Sequence, residues 1–223
     1  MFGQKNIFEE ALALYAGPHV VERVRKHKRE ALRRFSEDVQ LTLLVQDIKP
    51  FTTFNEKLSA KMVGEILNEY LDRMSACVEE HGGVIDHFRG DSIIAYWEPV
   101  EGDRVVASVK CAKEIGKELT QKWRDVLPGE IVPLHGVDCG VVARGNFGAS
   151  NRMSYAIMGD VLNFTMRLCS GNDSFQTQSL FSSRVRSLVS NQAELKFRES
   201  IVVKGRAKKE DLFTLEDLGS EKP

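Results

Sequence analysis

The chain has 223 residues, of which 42% are hydrophobic and 28% charged, and its formal net charge is −1. This near-neutral balance gives no basis for a nucleic-acid or membrane-surface partner. No apolar run approaches the roughly 20 residues that a membrane-spanning helix needs, and the N-terminus lacks a secretory pattern. We therefore expect a soluble, cytoplasmic protein with one domain and a small appendage.

Residues 1–38 are predicted to form a helical extension that breaks near Gly17 and Pro18, since apolar residues follow helical spacing on both sides of this pair. Basic residues are concentrated after the break: Arg23, Arg25, Lys26, Lys28, Arg29, Arg33 and Arg34. A nucleic-acid arm is one interpretation. A solvated helix face or a dimer strut agrees better with the balanced charge of the chain, so we expect no nucleic-acid partner.

A domain is predicted over residues 39–218. Its first strand is the apolar run 40–46, which ends at Asp47. Phe51 and Thr52 then begin a loop that enters a helix over about 56–80. Backbone N–H groups at such a helix entry can bind phosphate oxygens, so Phe51 and Thr52 are candidate substrate-binding residues.

Two short strands, 84–88 and 92–97, are predicted to form a hairpin with Asp91 at its tip. If this hairpin lies beside the first strand, the carboxylates of Asp47 and Asp91 converge. Such a pair, with positions left for water and phosphate, suits Mg²⁺ or Mn²⁺. The alternative for each aspartate taken alone is a turn or helix-cap role.

The next predicted elements are a helix over 102–123, a strand over 131–142 and a helix opened by Gly159 and Asp160. Asn163 and Arg167 lie four residues apart on that helix and so project from one face. Their amide and guanidinium groups suit a sugar and a phosphate. A structural Asn–Arg pair is the alternative.

The C-terminal segments 200–204 and 211–215 are predicted to pair as a β-hairpin. The order strand–helix–strand–strand–helix–strand is typical of the split βαβ, ferredoxin-like arrangement. We therefore predict an α+β fold, with an antiparallel sheet flanked by helices. The four cysteines form no metal-type spacing, and we expect buried free thiols at Cys77, Cys111, Cys139 and Cys169.

Over roughly residues 39–216 the chain resembles the class III nucleotidyl cyclases, the family of adenylate and guanylate cyclases. The resemblance depends on ordered motifs at family spacing: Asp47-Ile-Lys-Pro-Phe-Thr52, His81-Gly-Gly83, Gly90-Asp91, Gly140, Gly145-Asn-Phe-Gly148, Gly159-Asp160, and Asn163 with Arg167. It implies a nucleoside triphosphate substrate and a head-to-tail homodimer with two sites at its interface.

The resemblance also implies residue roles. Asp47 and Asp91, with the Ile48 carbonyl, would hold two metal ions, Mg²⁺ or Mn²⁺. Asn163 of the partner subunit would orient the ribose, and Arg167 of the partner subunit would stabilise charge on the phosphoryl oxygens. A further resemblance is at the C-terminus, where Lys204 matches a phosphate-contacting lysine and Arg206 is a possible substitute.

The chain departs from the family at the positions that read the purine. His87 stands where adenylate cyclases often have Lys and guanylate cyclases Glu, and Ala156 replaces a residue that contacts the base. Arg89, where a small apolar residue is usual, lies on the same strand face as His87. Its guanidinium fork could meet a base with two carbonyls, uracil above all. The alternative is a structural ion pair of Arg89 with Asp86 or with an acidic residue of a partner chain.

At these positions the chain resembles the bacterial pyrimidine cyclases of anti-phage signalling. The leading hypothesis is therefore a cyclase that makes cUMP from UTP, favoured over cCMP from CTP, as a second messenger. One alternative is an adenylate cyclase in which His87 reads the base. Another is a catalytically silent module that binds a nucleotide or a partner. An RNA-binding ferredoxin-like domain is disfavoured, because its strands would need paired stacking aromatics.

Overall fold

The computed structural model describes residues 6–49, 51–202 and 209–215. The strands are β1 (Phe35–Lys49), β2 (Val84–Arg89), β3 (Ser92–Trp97), β4 (Val132–Ala149), β5 (Arg152–Met158), β6 (Ser179–Ser182), β7 (Leu195–Val202) and β8 (Lys209–Leu215). The helices are α1 (Ile7–Ala16), α2 (Pro18–His27), α3 (Phe51–Lys57), α4 (Ala60–Glu80), α5 (Asp103–Lys122), α6 (Asp160–Phe175) and α7 (Ser183–Arg186). Short 3-10 helices occupy Lys28–Leu32 and Gln192–Glu194.

The strands form one eight-stranded sheet in the order β2-β3-β1-β4-β6-β8-β7, and β5 pairs with β4. The predicted α+β fold with helices flanking a sheet is confirmed. Neighbouring strands are antiparallel except β4 and β6, which pair in parallel. A parallel pair needs a long crossover, and β5 with α6 supplies it between these two strands.

The two faces of the sheet have separate cores. Helices α4 and α5 cover one face, where Ile66 and Val109 pack with Leu44 and Ile93. Helix α6 covers part of the other face, where Leu162 joins a cluster that includes Val45 and Ile94 of the sheet. Val45 and Asp47 both line a cavity on the α6 side of the sheet, so the predicted metal ligand faces this partly covered surface.

The N-terminal extension breaks where it was predicted to. Gly17 has a φ of 90°, a conformation that favours glycine, and α2 begins at Pro18. The helical part ends at Leu32, so the prediction that the helical extension continues to residue 38 is wrong. Phe35 already belongs to β1, where it pairs with Asn146 of β4, and this long-range pairing overrides the local helical spacing.

Side chains join the extension to the sheet. The Arg23 guanidinium lies 3.8 Å from the centre of the Phe35 ring, and the Asn146 amide donates to the Ala31 carbonyl at 2.8 Å. Arg25 forms an ion pair with Glu9 at 2.7 Å. Arg23 and Arg25 therefore have structural partners within the chain.

The cysteine prediction is wrong for two of the four residues. Cys77 of α4 and Cys111 of α5 form a disulfide, with Cα atoms 6.1 Å apart and a sequence separation of 34. The pairing arises because α4 packs against α5, which no local spacing motif reveals. Cys139 and Cys169 are buried free thiols, as predicted.

Two further elements differ in extent from the predictions. The segment at Phe51 and Thr52 begins the short helix α3 rather than a loop, and the longer α4 starts after Ser59, whose side chain accepts a hydrogen bond from the Met62 N–H at 3.3 Å. The C-terminal hairpin is confirmed, with β7 and β8 antiparallel. No helix in the described ranges is long and apolar enough to cross a membrane.

Candidate active site

Asp47 and Asp91 converge, as the hairpin prediction required. Strands β1 and β3 are antiparallel neighbours, with Gln46 opposite Ile93. This register places Asp47 at the end of its strand beside the turn that carries Asp91. The two carboxyl groups are close enough for the charge of Asp47 to act on Asp91.

The pair is electrostatically unfavourable without a cation. Burial, and then the charge of Asp47, raise the pKa of Asp91 to about 6. A divalent cation between the two groups relieves both effects, and hard carboxylate oxygens are the ligands that Mg²⁺ and Mn²⁺ prefer. Within the described residues no group of three or more His, Cys, Asp or Glu side chains is placed to hold a metal.

Ile48, whose carbonyl is a predicted metal ligand, follows Asp47 in β1. Ile48 is buried in β1 opposite Pro133. Because proline has no N–H, Pro133 cannot donate to the Ile48 carbonyl. The Ile48 N–H instead donates to the Asp47 side chain at 2.9 Å, which orients that carboxylate.

A buried tyrosine anchors the strand end that carries Asp47. The Tyr70 hydroxyl donates to the Asp47 carbonyl at 3.2 Å and lies 3.2 Å from the Gln46 amide, which donates to it. Burial raises the pKa of Tyr70, so its hydroxyl stays protonated and remains a donor. The sequence does not reveal this anchor, because Tyr70 fits the helical spacing of apolar residues in α4 whether or not its hydroxyl has a partner.

A cavity of about 280 Å³ opens beside Asp47, between the sheet and α6. Its lining combines apolar, cationic and small polar side chains: Val45, Asp47, Arg89, Ser92, Ile94, Met166, Arg167, Cys169 and Ser170. Arg167 therefore lines a cavity that contains Asp47 of the same chain. Asn163, one helical turn earlier, is exposed and is not part of that lining.

Two of the candidate base-reading residues, His87 and Arg89, lie on β2. Beyond Ile85, His87 lies opposite Ile94 and Arg89 opposite Ser92, so His87 and Arg89 share a face as expected. The Arg89 Nη1 atom lies 3.8 Å from the Met166 sulfur across the cavity.

The alternative of an Arg89–Asp86 ion pair does not fit these contacts, because the Asp86 carboxylate contacts His87 at 2.7 Å. Ala156 is on β5 opposite Gly145, and β5 contacts β2. The side chain of Ala156 offers no hydrogen bond to a base.

Some predicted residues cannot be placed in the site. Lys204 and Arg206 lie outside the described residues. Phe51 and Thr52 form the first turn of α3, which follows β1 directly after residue 50. The start of that helix is thus close in sequence to Asp47, as the proposed phosphate contacts require.

Comparisons with known proteins show which family this chain is similar to. Residues 35–217 match the model of the adenylate and guanylate cyclase catalytic domain. Adenylate cyclase 1 of Rhizobium meliloti is 31% identical over 180 residues, which cover 78% of this chain and 27% of that protein. An adenylate cyclase of Anabaena cylindrica is 28% identical, with 58% of this chain and 26% of that protein covered. The chain thus spans about a quarter of the length of these relatives.

Solved structures show the same fold. The adenylyl cyclase CyaB from P. aeruginosa superposes with a TM-score of 0.72 at 28% identity, over 85% of this chain and 100% of that one. The guanylyl cyclase Cya2 has a TM-score of 0.67 at 24% identity, over 84% and 96% of the two chains. With the family model matched over most of its length, this chain belongs to the class III adenylate and guanylate cyclases.

Proposed function

We propose that the chain converts a nucleoside triphosphate into its 3′,5′-cyclic monophosphate and pyrophosphate. The observation that carries the proposal is the convergence of Asp47 and Asp91 at the edge of a cavity that also contains Arg89. A protein that only bound nucleotide would have no need for a carboxylate pair whose mutual repulsion requires a cation. This argues against the silent-module alternative.

In this reaction the ribose 3′-oxygen bonds to the α-phosphorus, and the bond from that phosphorus to the bridging oxygen of the β-phosphate breaks. Pyrophosphate leaves, and the proton of the 3′-hydroxyl passes to solvent. Asp47, Asp91 and the Ile48 carbonyl would hold two Mg²⁺ or Mn²⁺ ions, which would activate the hydroxyl and neutralise the triphosphate.

The other candidate residues position the substrate. Asn163 orients the ribose, and Arg167 donates to the phosphoryl oxygens as charge develops on them. Lys204 and the N–H groups at Phe51 and Thr52 bind phosphate. In the dimer that we propose, Asn163 and Arg167 act on the site of the neighbouring subunit. Their exposed positions on α6 support this arrangement.

We assign a pyrimidine base, with UTP favoured over CTP. The Arg89 side chain extends across the cavity to Met166 and so reduces the space that a purine would need. Its donors suit the carbonyl oxygens of uracil. Ala156 contributes no hydrogen bond, so recognition depends on His87 and Arg89.

An adenine base is the second candidate, because the relatives from Rhizobium meliloti and Anabaena cylindrica are named adenylate cyclases. In that case His87 reads the adenine edge and Ala156 merely leaves room. The two candidates share every catalytic residue and differ only in what Arg89 does.

The first experiment is an assay of the purified chain with UTP, CTP, ATP and GTP in the presence of Mn²⁺, with products identified by mass. We expect cUMP as the main product. Arg89→Ile should lower kcat/KM for UTP by about 10- to 100-fold, as expected for the loss of a hydrogen bond from a charged donor. The value of kcat/KM for ATP should fall much less. Arg124→Ile, at an exposed residue paired with Asp125, is the matched control.

Each outcome of this assay decides something. An equal loss for every nucleotide in Arg89→Ile would make Arg89 structural. Cyclic AMP as the main product would retain the mechanism and overturn the base assignment. No product from any nucleotide would favour a silent regulatory module.

We also propose, from the resemblance to pyrimidine cyclases, that the product is a second messenger of anti-phage defence made in the cytoplasm. In the native host, a chromosomal Asp91→Asn substitution should abolish the rise of cyclic nucleotide during phage infection and increase phage plating. Unchanged plating with a confirmed loss of the nucleotide would refute the defence role and leave the enzymatic proposal untouched.

A further inference from the structure

Strand β2 contains an irregularity at the residue that precedes His87. Ile85 lies opposite Ala95, and the next pair is His87 with Ile94, so Asp86 is the extra residue of a β-bulge. Consecutive side chains of a regular strand point to opposite faces. At this bulge they meet instead, with Asp86 Oδ2 and His87 Nδ1 at 2.7 Å.

The two side chains differ sharply in exposure. The side chain of Asp86 is 1% exposed and that of His87 is 44% exposed. A buried carboxylate must be hydrogen-bonded to be tolerated, and the contact with His87 meets that need. Asp86 is therefore the buried residue of the pair. His87 is the exposed one, and its Nε2 atom can reach solvent or a ligand.

The contact decides which nitrogen of His87 carries a hydrogen. An ionised carboxylate only accepts hydrogen bonds, so Nδ1 must be the donor. In the neutral ring Nε2 then has no hydrogen and is an acceptor. Arg89, two residues further on the same face, has only donors. This edge of β2 thus presents one acceptor followed by a group of donors.

The Watson–Crick edge of uracil complements that order, since its N3–H donor lies between two carbonyl acceptors. We propose that Asp86 is a positioning residue for base specificity: it holds His87 so that Nε2 accepts from N3–H of uracil while Arg89 donates to a neighbouring carbonyl. Cytosine carries no hydrogen on N3, so it differs at the atom that His87 contacts. This inference rests on the proposed pyrimidine cyclase function.

The test is Asp86→Asn, because an asparagine amide can donate to Nδ1 and so favour the tautomer with hydrogen on Nε2. We expect KM for UTP to rise about tenfold, which corresponds to one lost hydrogen bond, with little change in kcat. With 3-methyl-UTP, which has no N3–H, the substitution should have no further effect. 5-methyl-UTP keeps N3–H and carries a methyl group of the same size. With this substrate Asp86→Asn should again raise KM about tenfold.

A second pair of variants leaves Asp86 in place and covers the case in which Asp86→Asn does not fold. His87→Gln can donate to Asp86 and still present an acceptor, so KM for UTP should change little. His87→Lys can pair with Asp86 but has no acceptor, so KM for UTP should rise as in Asp86→Asn.

Contrary results are distinguishable from failure of the enzymatic proposal. If Asp86→Asn lowers kcat equally for UTP, 3-methyl-UTP and ATP, Asp86 is only structural and the cyclase proposal stands. If glutamine and lysine at position 87 behave alike, the acceptor role is wrong. A wild-type chain that does not use UTP at all overturns both the base assignment and this inference.

Discussion

Asp91→Asn is expected to lower kcat/KM by about 10³-fold or more, at or above the upper end of what one lost transition-state contact costs. The physical reason is that asparagine keeps the shape of the side chain but loses the charge that holds the cation beside Asp47. Asp47→Asn should have the same effect. The measurement is steady-state turnover with saturating Mn²⁺.

The same substitution should not weaken the fold in the absence of metal. The pKa of Asp91 is raised from 3.8 to about 6 in the folded chain, so folding favours its neutral form. The stability that this gives is fully present below about pH 3.8 and is lost as the pH rises through about 6. At pH 7.5 with EDTA, the ionised aspartate is therefore destabilising. Because the site is partly open to solvent, we expect Asp91→Asn to raise the free energy of unfolding by only about 1 kcal/mol.

Thermal or urea unfolding at pH 7.5 and at about pH 4 checks this sign, since the difference between wild type and variant should shrink at the lower pH. Added Mn²⁺ should raise the unfolding temperature of wild type but not of Asp91→Asn, which reports metal binding without any turnover. Asp72→Asn, at an exposed position of α4, is the matched control and should change neither property. Full activity in Asp91→Asn would contradict the two-metal site.

The sequence was sufficient to predict the parts of this site that depend on local pattern. The Gly90-Asp91 turn between two alternating runs predicted the hairpin, and placing that hairpin beside β1 brought Asp91 to Asp47. The i, i+4 spacing of Asn163 and Arg167 likewise put them on one exposed face of α6.

Features that arise from packing or backbone irregularity could not be predicted. Period-2 alternation places Asp86 and His87 on opposite faces, and only the bulge brings them into contact. Tyr70 fits an apolar stripe whether or not its hydroxyl meets a carbonyl. The Cys77–Cys111 disulfide depends on the register of α4 against α5, which neither helix specifies by itself.

The position of Arg167 raises the question of which subunit it serves. It lines a cavity that also contains Asp47 of the same chain, whereas the resemblance to class III cyclases places it in the site of the partner. Activity needs both Asp47 and Arg167 whether Arg167 acts in the site of its own subunit or in that of the partner. Single variants therefore cannot distinguish them, because Asp47→Ala and Arg167→Ala should each be inactive.

Mixing the two inactive variants does distinguish them. In a head-to-tail dimer, a mixed dimer has one site with both substitutions and one site with neither. Equal mixing should therefore restore about a quarter of wild-type activity, since half of the dimers are mixed and each has one intact site. If Arg167 serves its own chain, every site in the mixture carries a substitution and no activity returns. Differently tagged chains, co-purified to confirm mixed dimers, make the absence of rescue decisive against shared sites.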